Sequence, residues 1–168
     1  MQIKRAQAYD AQAISKIHAL SWKSAYRGLV PQQYLDELKE DFWVKAFTEW
    51  ISNGKVTVQM MIDGDLPVGC IAYGKSRDAT LPDWGEIVSI YFLPDFMGKG
   101  HGGNLIDLAL SELKQQGMND VYVWVLEGNQ SARRFYEKNG FSCNGDQYPL
   151  EILGKALIDT RYVVSLGE

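Results

Sequence analysis

The sequence contains few of the residues that metal sites and disulfide frameworks require. Its 168 residues include two cysteines, Cys70 and Cys143, and two histidines, His18 and His101. Two cysteines are too few for a disulfide framework or a cysteine-based zinc site, and neither histidine stands in a metal-binding or catalytic-triad motif. We therefore expect no bound metal, and we expect both cysteines to be buried thiols in a reducing compartment.

Excess positive charge and long apolar runs are also missing. The 17 lysines and arginines are outnumbered by 21 aspartates and glutamates, which gives a net charge of -4. A chain with this balance is a poor partner for the phosphates of nucleic acid. No apolar run approaches the ~18–20 residues of a membrane helix, and the N-terminus lacks the apolar core of a signal peptide. The sequence thus predicts a cytoplasmic protein that binds neither nucleic acid nor membrane.

What the sequence does contain is typical of one globular domain over residues 1–168. Hydrophobic residues make up 46% of the chain and charged residues 23%, which excludes disorder. Apolar spacing predicts helices over residues 10–25, 31–38, 42–53, 101–117 and 130–139. Strand-like spacing predicts strands over residues 3–6, 56–62, 68–75, 86–93 and 121–126, from 141 onward, and over 157–166. This order favours a mixed α+β domain over a doubly wound sheet.

A cluster of glycines follows a predicted strand and precedes a predicted helix. Gly98, Gly100, Gly102 and Gly103 stand close together, with Lys99 among them. Glycine lets a backbone bend sharply and approach a ligand, and the unpaired amides at a helix N-terminus attract anions. The cluster therefore predicts a cradle for a phosphate or pyrophosphate. A loop that serves only a tight turn is the alternative.

Two nucleotide-binding motifs fit this cluster less well. Gly98, Gly100 and Gly103 match Gly-x-Gly-x-x-Gly, and the next strand ends near Glu127, where a ribose-binding acid would stand. That fingerprint normally follows its strand directly, whereas residues 94–97 intervene here and the motif lies past mid-chain. No Gly-Lys-Ser/Thr follows to complete a Walker A loop. An NAD-binding oxidoreductase therefore remains a minor alternative.

Two segments together resemble the GNAT superfamily of N-acetyltransferases. The acetyl-CoA loop of that superfamily reads Gln/Arg-x-x-Gly-x-Gly/Ala; here Gly100 and Gly102 match it, while Met97 replaces the usual Gln or Arg. The second segment runs from Asn129 to Phe141 and matches the family's strand-end asparagine, helical Phe-Tyr pair and Gly-Phe. The resemblance is good over residues 56–145 and looser over the N-terminal helices.

The resemblance implies a fold and a cosubstrate. The GNAT fold has a central, mixed and mostly antiparallel sheet of about six or seven strands flanked by helices, with the glycine loop between the central strand and the next helix. Acetyl-CoA is the implied cosubstrate, with its pantetheine arm beside the bulged central strand and the oxyanion at a backbone amide near Tyr91 and Phe92. Lys99 is expected near the phosphates, and His101 only opens the helix. The cofactor-binding residues implied are Ile90, Tyr91, Phe92, Met97, Gly98, Lys99, Gly100, His101, Gly102, Gly103, Asn129, Ala132 and Tyr136.

Acetyl transfer to an amine needs a base for the amine and a proton donor for the leaving thiolate. Tyr136 matches the family tyrosine that approaches the CoA sulfur, so the resemblance implies that it is the donor; a core tyrosine is the alternative. Its neighbour Phe135 is expected to face the core. Glu86, at the start of the strand that feeds the loop, is the predicted base, and a solvent-facing or acceptor-binding charge is the alternative. Asp83 and Glu151 are lesser candidates.

Aromatic residues suggest where the acceptor binds. The resemblance implies that the early helices, the hairpin loop and the C-terminal strands bind the acceptor. Among the aromatic residues of these parts, Trp22 and Tyr26 end the first long helix and Trp84 precedes Glu86, so these three are the predicted acceptor-binding residues. The sequence predicts direct acetyl transfer to a primary amine of a small molecule or peptide in a ternary complex. A covalent acyl-cysteine route is less favoured because neither cysteine has an activating histidine motif. A non-catalytic acetyl-CoA-binding regulatory module is the alternative function, and the family's frequent dimers allow a homodimer.

Overall fold

The computed structural model describes residues 1–167. Within this range the chain forms seven strands and five α-helices. The strands are β1 (Gln2–Arg5), β2 (Thr57–Asp63), β3 (Leu66–Lys75), β4 (Gly85–Phe92), β5 (Asp120–Leu126), β6 (Ser142–Ile152) and β7 (Lys155–Ser165). The helices are α1 (Ala11–Ala25), α2 (Gln32–Glu37), α3 (Val44–Ser52), α4 (Gly102–Gln115) and α5 (Gln130–Lys138). The expected mixed α+β fold is confirmed, and most element bounds lie within two residues of the prediction.

All seven strands join one sheet in the order β1-β2-β3-β4-β5-β7-β6. Neighbouring strands run antiparallel except β4 and β5, which are parallel and are connected by helix α4. A parallel pair needs a crossover connection of this kind, because its strands cannot be joined by a tight hairpin. In the strand order, this parallel pair lies near the centre of the sheet. The glycine loop follows β4 at this place.

Strand β4 is bulged and then separates from β5. Ala72 of β3 pairs with Ser89 and Tyr73 pairs with Ile87, so Val88 is an extra residue in β4. A bulge of this kind bends its strand and increases the local twist. Pairing with β5 ends at Ile87 opposite Val123. From Val88 onward the two parallel strands diverge, which leaves a gap in the middle of the sheet.

The core has two halves, one on each face of the sheet. Ile71 and Tyr73 face helices α4 and α5, whereas the alternate residues Cys70 and Ala72 face α1 and α3. This alternation is the two-residue period of a strand that is buried on both faces. Cys70 is buried as expected, but Cys143 is exposed, because it lies on β6 at the edge of the sheet. The expectation of two buried thiols is therefore wrong for Cys143.

The β2–β3 hairpin is tighter than the sequence predicted. Its turn consists of Gly64 and Asp65, and β3 already begins at Leu66, whereas the sequence suggested a loop that extended through Pro67. Gly64 has a φ of 63°, which suits a two-residue hairpin turn. Pro67 pairs opposite Ile62, where the register shifts, so the missing amide of proline falls at an irregular point of the ladder.

Across residues 1–167, every helix is too short or too polar to cross a bilayer.

Candidate active site

The gap between β4 and β5 opens into a cavity of about 580 Å³. Because the gap passes through the sheet, helices from both faces reach the cavity: Ser21 and Ser24 come from α1, and Phe135 and Tyr136 come from α5. The glycine loop closes one end of the cavity. All the predicted cofactor-binding residues line this cavity except Gly103, which lies in the first turn of α4. We call this space the loop cavity.

The glycines of the loop serve two different purposes. Gly98 and Gly100 have φ values of 69° and 83°, a region that side-chain-bearing residues rarely adopt. Gly102 is instead required by packing, because a Cβ atom there would lie 2.7 Å from the ring of Phe135. Helix α4 begins at Gly102 without a side-chain cap at His101. The amides of its first turn are therefore available to an anion in the loop cavity.

Helix α5 is fixed beside the loop cavity by its N-terminal cap. The Asn129 side chain accepts a hydrogen bond from the Ala132 amide at 3.1 Å, a standard N-cap arrangement. Phe135 is half-buried and lines the cavity against Gly102. Phe135 packs against the core as expected, but it lines the cavity as well. Both rings contact the cavity, and Tyr136 is the more deeply buried of the two.

Tyr136 is deeply buried and lines the loop cavity. Its ring packs against Phe141 and Tyr162, with centroid distances of 5.6 Å and 6.4 Å. Burial raises the pKa of its hydroxyl, and the nearby Tyr26 adds to this effect. No hydrogen bond contributes to that shift. Tyr136 therefore presents a neutral hydroxyl with a proton to donate.

A second cavity, of about 660 Å³, lies on the α1 face of the sheet. It shares part of its wall with the loop cavity, namely Tyr26, Val88, Tyr91, Trp124 and Leu126. The hydroxyls of Tyr26 and Tyr91 are 3.0 Å apart at this shared wall. Molecules in the two cavities would thus meet at the point where β4 and β5 separate. We call this second space the acceptor cavity.

Two of the three predicted acceptor-binding residues line the acceptor cavity. Trp22 and Tyr26 both contribute to its wall, and their rings pack edge to face at 4.7 Å. Trp84 lies outside both cavities; it precedes β4 and packs behind Tyr122 at 6.3 Å. The lesser base candidates Asp83 and Glu151 are exposed and line neither cavity.

Glu86 lies at the edge of the acceptor cavity and is 2% exposed. Its Oε2 accepts a hydrogen bond from Arg77 Nη2 at 2.6 Å. Its Oε1 accepts hydrogen bonds from Arg77 N, Arg77 Nε and the Tyr122 hydroxyl, at 3.1, 3.1 and 2.9 Å. The carboxylate is thus occupied on both oxygens by fixed donors. This geometry is that of a buried carboxylate paired with a half-exposed arginine, and it orients Arg77 and Tyr122.

The lining of the acceptor cavity contains a second charged group that the sequence analysis missed. The guanidinium of Arg161 lies 4.3 Å from the Trp124 ring centroid and 4.7 Å from that of Tyr122. Its Nη2 donates to Asp78 Oδ2 at 2.8 Å, and its Nε lies 3.7 Å from Asp146 Oδ2. Hydrogen bonds from Thr80, followed by that from Arg161, lower the pKa of Asp78 to about 2.

Asp159 also lines the acceptor cavity and was missed. A signal for it existed in the sequence, because Leu157, Asp159 and Arg161 share one face of β7. Two charges at alternate positions, on the same strand face as Leu157, indicate a lined cavity or an ion-pair network.

Cys70 is a buried thiol that is unreactive at neutral pH. Burial raises the pKa of the Cys70 thiol to about 12, so its reactive thiolate form is not populated at neutral pH. Cys70 lines neither cavity, and Cys143 lies on β6. Among residues 1–167, no group of three or more histidine, cysteine, aspartate or glutamate side chains is placed to hold a metal ion.

Comparison with known proteins agrees with this geometry. The model of the acetyltransferase (GNAT) family matches residues 14–141. An uncharacterized N-acetyltransferase of Archaeoglobus fulgidus is 32% identical over 140 residues, which are 81% of this chain and 89% of that protein. Spermidine N(1)-acetyltransferase of Thermoplasma acidophilum is 24% identical over 152 residues, which are 84% of this chain and 88% of that protein.

The fold also agrees with a solved structure. PaiA N-acetyltransferase of Thermoplasma acidophilum, in complex with coenzyme A, has a TM-score of 0.75 at 18% identity and covers 98% of this chain and 99% of that one. The family model spans well over half of the sequence. The resemblance seen in the glycine loop and in the Asn129–Phe141 segment is therefore confirmed, and the chain belongs to the GNAT family of acetyltransferases.

Proposed function

We propose that the protein transfers the acetyl group of acetyl-CoA to a primary amine by direct attack in a ternary complex. The observation that carries the proposal is the shared wall of the two cavities at Tyr26, Tyr91 and Trp124. A thioester in the loop cavity and an amine in the acceptor cavity would meet there without a covalent enzyme intermediate. Membership of the family supports this route, and so does the raised pKa of Cys70, which leaves its thiol unreactive at neutral pH.

The loop cavity fits both the pyrophosphate and the pantetheine arm of acetyl-CoA. The glycine loop and the first turn of α4 offer backbone amides to the pyrophosphate. The unpaired edge of β4 offers backbone groups to the pantetheine arm, as a strand edge does to an added peptide. The solved PaiA structure contains coenzyme A, which adds support for the same ligand here. Met97 cannot make the side-chain contact that Gln or Arg makes at this position in the family. The backbone donors of the loop do not depend on that side chain.

The oxyanion would be held by an amide of β4. Leu93 N donates to Val68 O on the β3 side at 2.8 Å. Because the direction of the backbone amides alternates along a strand, those of Ile90 and Phe92 turn toward the gap. Preorganised amides of this kind stabilise charge that develops in the transition state. The proposal assigns the oxyanion to one of these two amides.

Tyr136 is the proposed proton donor to the departing thiolate. A tyrosine hydroxyl is ordinarily protonated at neutral pH, and burial, which raises the pKa of Tyr136, keeps it so. A phenol in this state gives a proton to sulfur when the carbon–sulfur bond breaks. Glu86 has both carboxylate oxygens occupied by Arg77 and Tyr122, so the proposal gives it the role of positioning those groups.

Release of CoA thiol across a panel of amines tests this function. The panel contains alkyl monoamines, polyamines, amino acids and lysine-bearing peptides; the name of the Thermoplasma relative supports the inclusion of spermidine. We expect release with one class of amine and a loss of roughly 100-fold in kcat for Tyr136→Phe. The Thr48→Ser variant, altered in helix α3 outside both cavities, serves as the control.

The same assay separates the alternatives. If acetyl-CoA raises the melting temperature but no amine causes release, the protein is a non-catalytic binding module and the proposed transfer is wrong. If NAD raises the melting temperature and acetyl-CoA does not, the loop cavity serves a dinucleotide instead.

A further inference from the structure

The acceptor cavity contains one carboxylate that nothing in the protein neutralises. Asp159 lies near the middle of β7, opposite Leu126 of β5 and Tyr148 of β6. It is half-buried and lines the cavity. Within residues 1–167 its carboxylate forms neither an ion pair nor a hydrogen bond, and burial alone raises the pKa of Asp159. A half-buried carboxylate without a partner loses part of its hydration without compensation, so it indicates a ligand of positive charge.

The other charges that line the acceptor cavity are paired with each other. Arg77 is bound by Glu86, and Arg161 is bound by Asp78. The lining therefore contains two cations and three carboxylates, which leaves one negative charge in excess. Arg161 also lies near the exposed Asp146. Within the part of the chain that the structure describes, the buried Nε of Arg161 forms no hydrogen bond, so a carboxylate on the acceptor could contact Arg161 beside Asp78, whereas an ammonium group would find Asp159 without a partner.

The uncharged part of the lining suits an aliphatic chain that ends in an ammonium group. Aromatic faces attract cations and cover methylene groups well. The aromatic and aliphatic lining residues are Trp22, Tyr26, Val30, Val88, Tyr91, Tyr122, Trp124, Leu126, Tyr148, Leu150, Ile152 and Leu157.

Asp159 lies beside the wall that the two cavities share. Leu126, which pairs with Asp159 across the strands, lines both cavities. The negative charge of Asp159 contributes to raising the pKa of Tyr26, which also lines both cavities. A cation held by Asp159 would thus be the nitrogen nearest to the thioester, rather than a distant charge at the mouth of the cavity.

From this placement, and resting on the proposed function, we infer that Asp159 binds the reacting ammonium group of a simple aliphatic amine and accepts its proton. Asp159 takes one proton from nitrogen, whose lone pair then forms the carbon–nitrogen bond with the thioester carbon. The carbon–sulfur bond breaks, and sulfur leaves with the proton of Tyr136. The second proton lost by nitrogen replaces the one that Tyr136 gave, and Asp159 releases its proton to solvent.

The test compares Asp159→Asn with wild type, using butylamine as the acceptor. The substituted amide keeps the size of the side chain but neither attracts an ammonium group nor accepts its proton. We expect kcat/KM for butylamine to fall by about 100-fold or more, while the shift in melting temperature caused by acetyl-CoA stays unchanged. Asp65→Asn, in the exposed β2–β3 turn, is the matched control and should behave as wild type.

A weakly basic amine distinguishes this role from a structural one. Trifluoroethylamine is largely uncharged at neutral pH, so it needs neither the counter-ion nor the base. We expect the loss in Asp159→Asn to be several times smaller with trifluoroethylamine than with butylamine. Equal losses with both amines would overturn the inference, as would wild-type activity of Asp159→Asn with butylamine or a preference for an α-amino acid such as alanine.

The outcome also separates the inference from the proposed function. If wild type acetylates no amine, butylamine binding is measured by its effect on the melting temperature. If butylamine stabilises wild type but not Asp159→Asn, the binding role of Asp159 is supported and the proposed transfer reaction is wrong. Absence of stabilisation in both would overturn the inference as well.

Discussion

His18 Nε2 lies 2.9 Å from Ser89 Oγ, which joins the middle of α1 to the residue that follows the bulge of β4. His18 Nδ1 lies 2.8 Å from the carbonyl oxygen of Ile14. A carbonyl oxygen only accepts, so Nδ1 carries a proton and donates it. Burial lowers the pKa of His18 from 6.5 to about 4. The ring is therefore neutral, Nε2 accepts from the Ser89 hydroxyl, and this contact holds the bulge against α1.

The neutral ring predicts a loss of stability in acid. Between about pH 6.5 and pH 4 the unfolded chain binds a proton at His18 that the folded chain does not, so folding becomes less favourable as the pH falls. The difference of about 2.5 pKa units corresponds to about 3 kcal/mol in the free energy of unfolding. Urea unfolding of wild type and His18→Gln across this range measures it, and the variant should show a shallower pH dependence. Identical slopes in the two proteins would contradict the buried neutral ring.

A close contact between the glycine loop and α5 gives a second prediction. In Gly102→Ala the new methyl group would meet the Phe135 ring at 2.7 Å, and that ring lines the loop cavity. We expect a loss of about 1–3 kcal/mol in stability and a raised KM for acetyl-CoA, both partly restored by Phe135→Leu in the double variant. Gly103→Ala is the matched control, since its nearest neighbour is Asn139 Oδ1 at 3.4 Å. Equal effects of the two alanines would show that the contact with Phe135 is unimportant.

The hydrogen bonds of Glu86 lead to a third prediction. Glu86→Gln removes the charge that holds Arg77, so the free energy of unfolding should fall by about 1–3 kcal/mol. Because Glu86 positions other groups in this account, the loss of kcat should be well below the ~100-fold expected for removal of a general base. A double-mutant cycle with Arg77→Met measures the coupling of the pair. A loss of 100-fold or more that is confined to strongly basic amines would assign the base to Glu86 instead of Asp159.

The contiguous parts of the site were predictable from the sequence. The glycine loop and the segment from Asn129 to Phe141 each place their site residues on one strand–helix junction, so short local motifs were sufficient to carry the family resemblance that implied their roles. Asn129 caps α5 and Gly100 takes a positive φ. The family resemblance indicated both positions, and in each case the local backbone requirement explains the residue.

The acceptor cavity was not predictable in the same way. Asp159 and Arg161 come from β7, which lies between β5 and β6 in the sheet. That position depends on long-range strand pairing, which the sequence pattern does not give. The partners of Glu86 were missed for the same reason: Arg77 lies in the β3–β4 loop and Tyr122 comes from β5. Trp84 was expected in the acceptor site because it lies near Glu86 in sequence, but its ring packs behind Tyr122.

Initial rates measured while acetyl-CoA and the amine are both varied test the central claim most directly. The two cavities meet at Tyr26 and Tyr91, and the proposed direct transfer requires both substrates to be bound together before the acetyl group moves. This account predicts double-reciprocal lines that intersect, with no CoA released before the amine is added. Parallel lines, together with a burst of CoA in the absence of amine, would show an acetylated enzyme intermediate and would contradict direct transfer.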